Sequence, residues 1–194
     1  MIGVFGGSFD PPHRGHLNII CSFIKNFNSR LILIPNFLSP FKTSKGAEPN
    51  HILEMLQILK KEHGLERVEI SDLELKRGGL SFTYLTLEEL KNLYPDEELL
   101  LLLGEDNLAG LHRWKNIEII FSLAKVLVYP RPGLSGVGIP EELEVYRKKI
   151  FLQNTEMNPA SSSRVRSEKL EIDLSPAVLQ YIRERGLYEF TGKN

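Results

Sequence analysis

The sequence predicts an α/β protein: a Rossmann-like, doubly wound parallel sheet with helices on both faces. Three observations lead there. Five short runs are predominantly apolar, most of them continuously so, as strands buried on both faces are, rather than alternately apolar and polar. Between them lie four longer stretches in which apolar residues return every three or four positions, the period of a helix with one buried face. The two kinds alternate as βαβαβαβαβ, which calls for parallel strands joined by crossover helices.

Taken in order, the strands are "IGVF" at 2–5, "RLILI" at 30–34, "RVEI" at 67–70, "LLLLL" at 99–103 and "KVLVY" at 125–129. Each is short and bounded by turn or polar residues. The predicted helices are "HLNIICSFIKNF" at 16–27, "HILEMLQILKKEHG" at 51–64, "SFTYLTLEELKNLY" at 81–94 and "WKNIEIIFSLA" at 114–124. Gly64 supplies a C-terminal stop and Pro95 a breaker. In such folds ligands sit beyond the carboxyl ends of the strands.

Composition bounds the rest. A chain of 194 residues suits one domain with a sizeable core, and 42% hydrophobic with 25% charged residues argues against long disorder. The net charge of −1 offers no basic field for nucleic acid or an anionic membrane. Cys21 is the single cysteine, which excludes an internal disulfide and a cysteine-based zinc site. Its place in an apolar helix pattern predicts a buried structural thiol. No charged leader opens the chain, and no apolar stretch approaches the roughly 18 residues of a membrane span. The five leucines at 99–103 are far too short. The expectation is a cytoplasmic protein.

The densest chemistry follows the first strand, in "GGSFDPPHRGH" at 6–16. Gly6 and Gly7 let backbone approach a ligand closely. Asp10 before Pro11 and Pro12 reads as a helix cap followed by first-turn proline. Free amides at a helix start, with the helix dipole, make an anion site. His13 and His16 are three apart, so on a helix they share a face and both can point at that anion. A metal pair competes with this reading, but the spacing is not H-E-x-x-H and no further ligand cluster is visible. Two surface histidines on an ordinary turn are the plainer alternative. Neither G-x-x-x-x-G-K-[ST] nor G-x-G-x-x-G occurs.

"GGSFDPPHRGHL" resembles the G-G-[ST]-F-D-P-x-H-x-G-H signature of the adenylyltransferase superfamily, and "SSSRVR" at 161–166 its I-S-S-[ST]-x-[IV]-R element, with Ala160 in place of isoleucine. The middle and end of the chain narrow the likeness. "RGGLSFTYLTLEEL" at 77–90, "GEDNLAGLHRWKNIEII" at 104–120, "YPRPG" at 129–133 and "PAVLQYIRERGLY" at 176–188 resemble segments of bacterial nicotinate-nucleotide adenylyltransferases. Departures are confined to a few positions. In "PNFLSPFK" at 35–42 Phe41 replaces a histidine and Ser39 a proline, while Lys42 survives; His51 stands for an arginine and Leu85 for an aspartate.

The resemblance implies one nucleotidyltransferase domain over 1–194, with a C-terminal helical portion at about 160–190 completing the ATP site. It implies transfer of the adenylyl group of ATP to nicotinate mononucleotide by direct in-line displacement, in NAD biosynthesis. His16 would donate to the α-phosphate and His13 support the triphosphate, with Gly6, Gly7, Ser8 and Phe9 offering backbone contacts. Ser162 and Ser163 would cap the late helix, Arg166 clamp the leaving pyrophosphate, and Lys42 add a positive charge from its loop. The plainer readings are a simple cap with a solvated arginine, and a solvated loop lysine. Asp106 would contact nucleotide or cap its own helix. Thr83 would lie near the ring carboxylate and Trp114 stack on the pyridine; a lone tryptophan at a helix start also suits a core. Magnesium would arrive with ATP, needing few protein ligands.

Two other functions fit the same residues: a relative acting on phosphopantetheine or nicotinamide mononucleotide, and a non-catalytic nucleotide-binding module. The oligomeric state and the conformation of residues 36–49 are open, the latter expected to move on binding.

Overall fold

All five apolar runs are strands, and a sixth joins them at one edge. The computed structural model describes residues 1–40, 46–131, 138–154 and 158–189. The strands are β1 (Ile2–Gly7), β2 (Arg30–Pro35), β3 (Val68–Ile70), β4 (Leu99–Gly104), β5 (Ala124–Tyr129) and β6 (Ile150–Leu152). Every pairing is parallel, in the order β3-β2-β1-β4-β5-β6. That order reverses direction between β1 and β4, which opens a crevice at their carboxyl ends.

The helices are α1 (Arg14–Phe27), α2 (Pro49–Glu62), α3 (Leu73–Arg77), α4 (Thr83–Leu93), α5 (Glu105–Leu108), α6 (Ile117–Leu123), α7 (Ser162–Glu168) and α8 (Pro176–Glu184). The leucine run shows why the strands read as continuously apolar. Leu100 and Leu102 pack on one face with Phe5, Leu31 and Leu33, beneath α1, α2 and α8. Leu99, Leu101 and Leu103 pack on the other with Val4 and Ile32, beneath α4 and α6. Gly3 lets α1 close on the sheet, because a Cβ there would stand 2.5 Å from Phe23 Cζ and 2.9 Å from Leu31 Cδ1.

Three differences from the sequence reading have local causes. The helix expected at 114–124 starts only at Ile117, since Asn116 adopts a left-handed conformation (φ 53°) that an asparagine tolerates better than most residues. Trp114 is therefore extended, at the end of a 3-10 turn (Leu111–Arg113). Elements β6, α3 and α5 are three to five residues long, too short to display a period. Cys21 is exposed rather than buried, because the stripe Ile19, Ile20 and Phe23 turns it outward; partial burial still raises its thiol pKa. Among the described residues no helix is long and apolar enough to cross a membrane.

Candidate active site

The turn after β1 carries the histidines to the crevice. Helix α1 begins at Arg14, and its cap is His13 (φ −142°, ψ 174°), so Asp10 does not hold the capping place its sequence context predicts. The His13 backbone N–H donates to His16 Nδ1 at 3.2 Å, and the two rings stack with centroids 3.8 Å apart. A neutral imidazole that accepts on Nδ1 carries its proton on Nε2. His16 thus presents a donor. Phe9, fully buried at φ 47°, forms the floor: its ring lies 4.7 Å from that of His16 and 5.4 Å from that of Phe5. A Cβ on Gly7 would stand 3.2 Å from the Phe9 ring, which explains a glycine there.

His13 is 6% exposed, and its pKa is lowered to about 3, first by burial and then by the charge of Arg131. It is neutral at ordinary pH, so it offers a phosphate a hydrogen bond and no charge. Gly15 lies under this ring. A Cβ there would be 3.0 Å from His13 Cε1 and 3.1 Å from the Ala160 carbonyl, so only glycine lets the segment before α7 approach the histidines.

At that approach the cap of α7 is Ser161, whose Oγ accepts from Arg164 N–H at 3.3 Å, rather than Ser162 or Ser163. Ser162 instead donates from Oγ to the Pro11 carbonyl at 3.0 Å, tying α7 to the β1 turn. Ser162 and Ser163 still line the cavity. Arg166 is absent from its lining; the guanidinium turns away to donate to the Asp10 carbonyl and lies 3.7 Å from Asp10 Oδ2. In this position it ties α7 to the turn after β1.

Thr83, at the first position of α4, and Trp114 form the opposite wall. Asp106 lies in the first turn of α5, whose cap is Gly104, and pairs with Arg131 at 2.5 Å. Arg131 also donates its backbone N–H to Glu105 Oε2 at 3.0 Å. This arginine was visible in "YPRPG", directly after a strand and so at the ligand end of the sheet, but the sequence reading gave it no part. Glu74, 6% exposed, accepts from Thr86 Oγ1 at 2.5 Å and braces the same wall.

Together these walls enclose a cavity of about 610 Å³, within the range of small-molecule sites. Of the predicted residues it gathers Gly6, Gly7, Ser8, Phe9, His13, His16, Thr83, Asp106, Trp114, Ser162 and Ser163. Lys42 lies outside the described residues. No group of three or more metal-ligating side chains occurs among the described residues.

A doubly wound sheet with two histidines stacked at its switch point, and a second helix start facing them, defines a nucleotide-handling protein of the α/β class. Residues 4–168 match the family model described as cytidylyltransferase-like. A nicotinate-nucleotide adenylyltransferase of Leptospira borgpetersenii is 38% identical over 195 residues, covering 97% of this chain and 96% of its own length. One from Aquifex aeolicus is 39% identical over 150 residues, covering 76% and 84%. The chain belongs to the cytidylyltransferase-like family and, within it, to the nicotinate-nucleotide adenylyltransferases. Its fold is also that of Plasmodium falciparum nicotinic acid mononucleotide adenylyltransferase, solved in complex with NaAD, with a TM-score of 0.83 at 22% identity over 98% of each chain.

Proposed function

We propose that this chain, as one domain over 1–194, joins the adenylyl group of ATP to nicotinate mononucleotide, giving nicotinate adenine dinucleotide and pyrophosphate. The observation that carries the reading is the stacked His13–His16 pair at the mouth between β1 and β4, facing the start of α7. A phosphate oxygen of the mononucleotide attacks the α-phosphorus of ATP, and the bond from that phosphorus to the β-bridging oxygen breaks in line. Such a transfer asks for positioning and charge stabilisation more than for a covalent nucleophile.

His16 donates from Nε2–H to the α-phosphate as negative charge builds there. His13, neutral, adds a hydrogen bond to the polyphosphate. Backbone at 6–9 and residues 162 and 163 receive the phosphates around it. At the other wall Trp114 offers a flat face to the pyridine and Thr83 a hydroxyl to its carboxylate. Asp106 and Arg131, already paired, meet the nucleotide between the two ends.

The donor set fits magnesium only as an ion borne by the triphosphate. The cavity's carboxylates are single and engaged, Glu74 with Thr86 and Asp106 with Arg131, whereas magnesium is content with phosphate and water oxygens. When bound it supplies charge neutralisation on the phosphates. A cytoplasmic setting, where ATP is at hand, agrees with the reading.

A coupled pyrophosphate assay with Mg-ATP tests it, offering nicotinate mononucleotide, nicotinamide mononucleotide and phosphopantetheine in parallel. Turnover concentrated on the first is expected; release with another acceptor and none with nicotinate mononucleotide would overturn it.

A further inference from the structure

The mechanism leaves one buried carboxylate without a task. Asp10 stands three residues before His13, is 2% exposed and accepts on both oxygens. Tyr188 donates its hydroxyl to Oδ1 at 2.7 Å, and the Gly46 N–H donates to Oδ2 at 2.7 Å. Arg166 donates to the Asp10 carbonyl, and Ser162 to the next one, of Pro11. Two consecutive peptide carbonyls are therefore held by α7, and the Asp10 carboxylate by the segment after β2 and the C-terminal turn. Nothing local to the turn supplies these bonds.

Tyr188 reaches Asp10 from a strained position. Its backbone is left-handed (φ 56°), which an aromatic residue adopts only when its surroundings compel it. Lys169 Nζ donates to its carbonyl and holds it there. Gly46 is nested between the partners: a Cβ would stand 2.9 Å from Arg166 Cδ and 3.0 Å from Tyr188 Cε1. Burial, followed by the charge of Asp10, holds the phenol protonated far above its ordinary range, so it remains a donor.

We propose that Tyr188 is a positioning residue for the transfer reaction: through Asp10 its hydroxyl fixes residues 10–13, and with them the His13–His16 pair, against the start of α7. This rests on the function proposed above. Without the hydroxyl, Oδ1 loses that donor in a dry site, and a buried carboxylate short of a donor turns toward another. The turn three residues from the His13 cap shifts with it. Displacing a reacting group by about 1 Å costs on the order of 10²-fold in rate.

The test is Tyr188→Phe, which keeps the ring and removes the donor. Per folded molecule, counted by the stoichiometry of ATP binding, kcat should fall about 10- to 100-fold, while KM for both substrates stays within about threefold. The imidazole nitrogen resonances of His13 and His16 should move. Asp10→Asn, close in volume, should show the same split, and the double variant should lose no more than the worse single one. Should Tyr188→Phe fail to fold, Asp10→Asn alone carries the comparison. The proposal is overturned if kcat per folded molecule stays within about twofold of wild type with unchanged imidazole resonances, or if the two losses multiply. If wild-type protein releases no pyrophosphate with nicotinate mononucleotide, the functional reading fails, and the imidazole spectra still decide whether Tyr188 positions the histidines.

Discussion

The two ends of the cavity are built to different standards of rigidity. At the end proposed to hold the phosphates Phe9, Asp10 and His13 are buried to 0%, 2% and 6% exposure, and Asp10 is bonded to segments far away in sequence. At the proposed acceptor end Thr83 and Trp114 are half-buried, and between the two ends the Asp106–Arg131 pair is open to water, its side chains 41% and 32% exposed. The contrast follows the chemistry. Charge developing on phosphorus rewards donors held in place in a dry site, whereas recognition of a flat ring tolerates adjustment.

Removing the fixed donor should cost the most. His16→Ala should lower kcat by about 10²- to 10³-fold, near 3–4 kcal/mol of transition-state stabilisation, with little change in Tm. Steady-state kinetics beside a thermal melt separates these quantities; near-normal kcat would reduce His16 to a structural part.

Burial at the same end should show in pH dependence. In the folded protein the His13 pKa is lowered to about 3, while the unfolded chain takes up that proton near the ordinary value of 6.5. The unfolded state then binds more protons below that value, so stability is complete above it and drains away as pH falls toward about 3. From neutral pH to about pH 5 the loss should approach about 2 kcal/mol. Urea melts of wild type and His13→Asn at both pH values check this: the variant should lose less over that interval.

Effects at the acceptor end should be smaller and of another kind. Trp114→Ala should raise KM for nicotinate mononucleotide by about tenfold and that for ATP far less, since stacking contributes on the order of 1–3 kcal/mol per ring. An equal rise for both substrates would place Trp114 in the core instead. Smallest of all, Asp106→Asn should change folding stability by less than about 1 kcal/mol, as exposed ion pairs contribute little. A larger loss in a chemical melt would show that this exposed pair is as firmly built as the buried turn at Asp10.

Legibility in the sequence follows the range of the forces involved. The strands were legible because burial on both faces leaves a continuous apolar run, as at residues 99–103. The pairing of His13 with His16 was legible because it depends on a three-residue spacing at one helix start. Asp10 was misread as a cap, since the local pattern of an aspartate before prolines is the same whether or not a distant tyrosine claims its carboxylate. Arg166 shows the same limit: its place on α7 is local, but the Asp10 carbonyl to which its guanidinium donates lies far away in sequence.

The sequence by itself determined the α/β class, the parallel orientation of five of the strands, the position of the turn that carries the histidines and the family, because each depends on residue types at short, fixed spacings. Tertiary structure alone decided the charge and partners of the groups so placed. His13 is neutral because the core buries it and, second, because the charge of Arg131 opposes its own, and Asp10 is a hub because Gly46, Arg166 and Tyr188 converge on it. Desolvation and hydrogen bonding act between residues that only folding brings together, and no spacing along the chain records them.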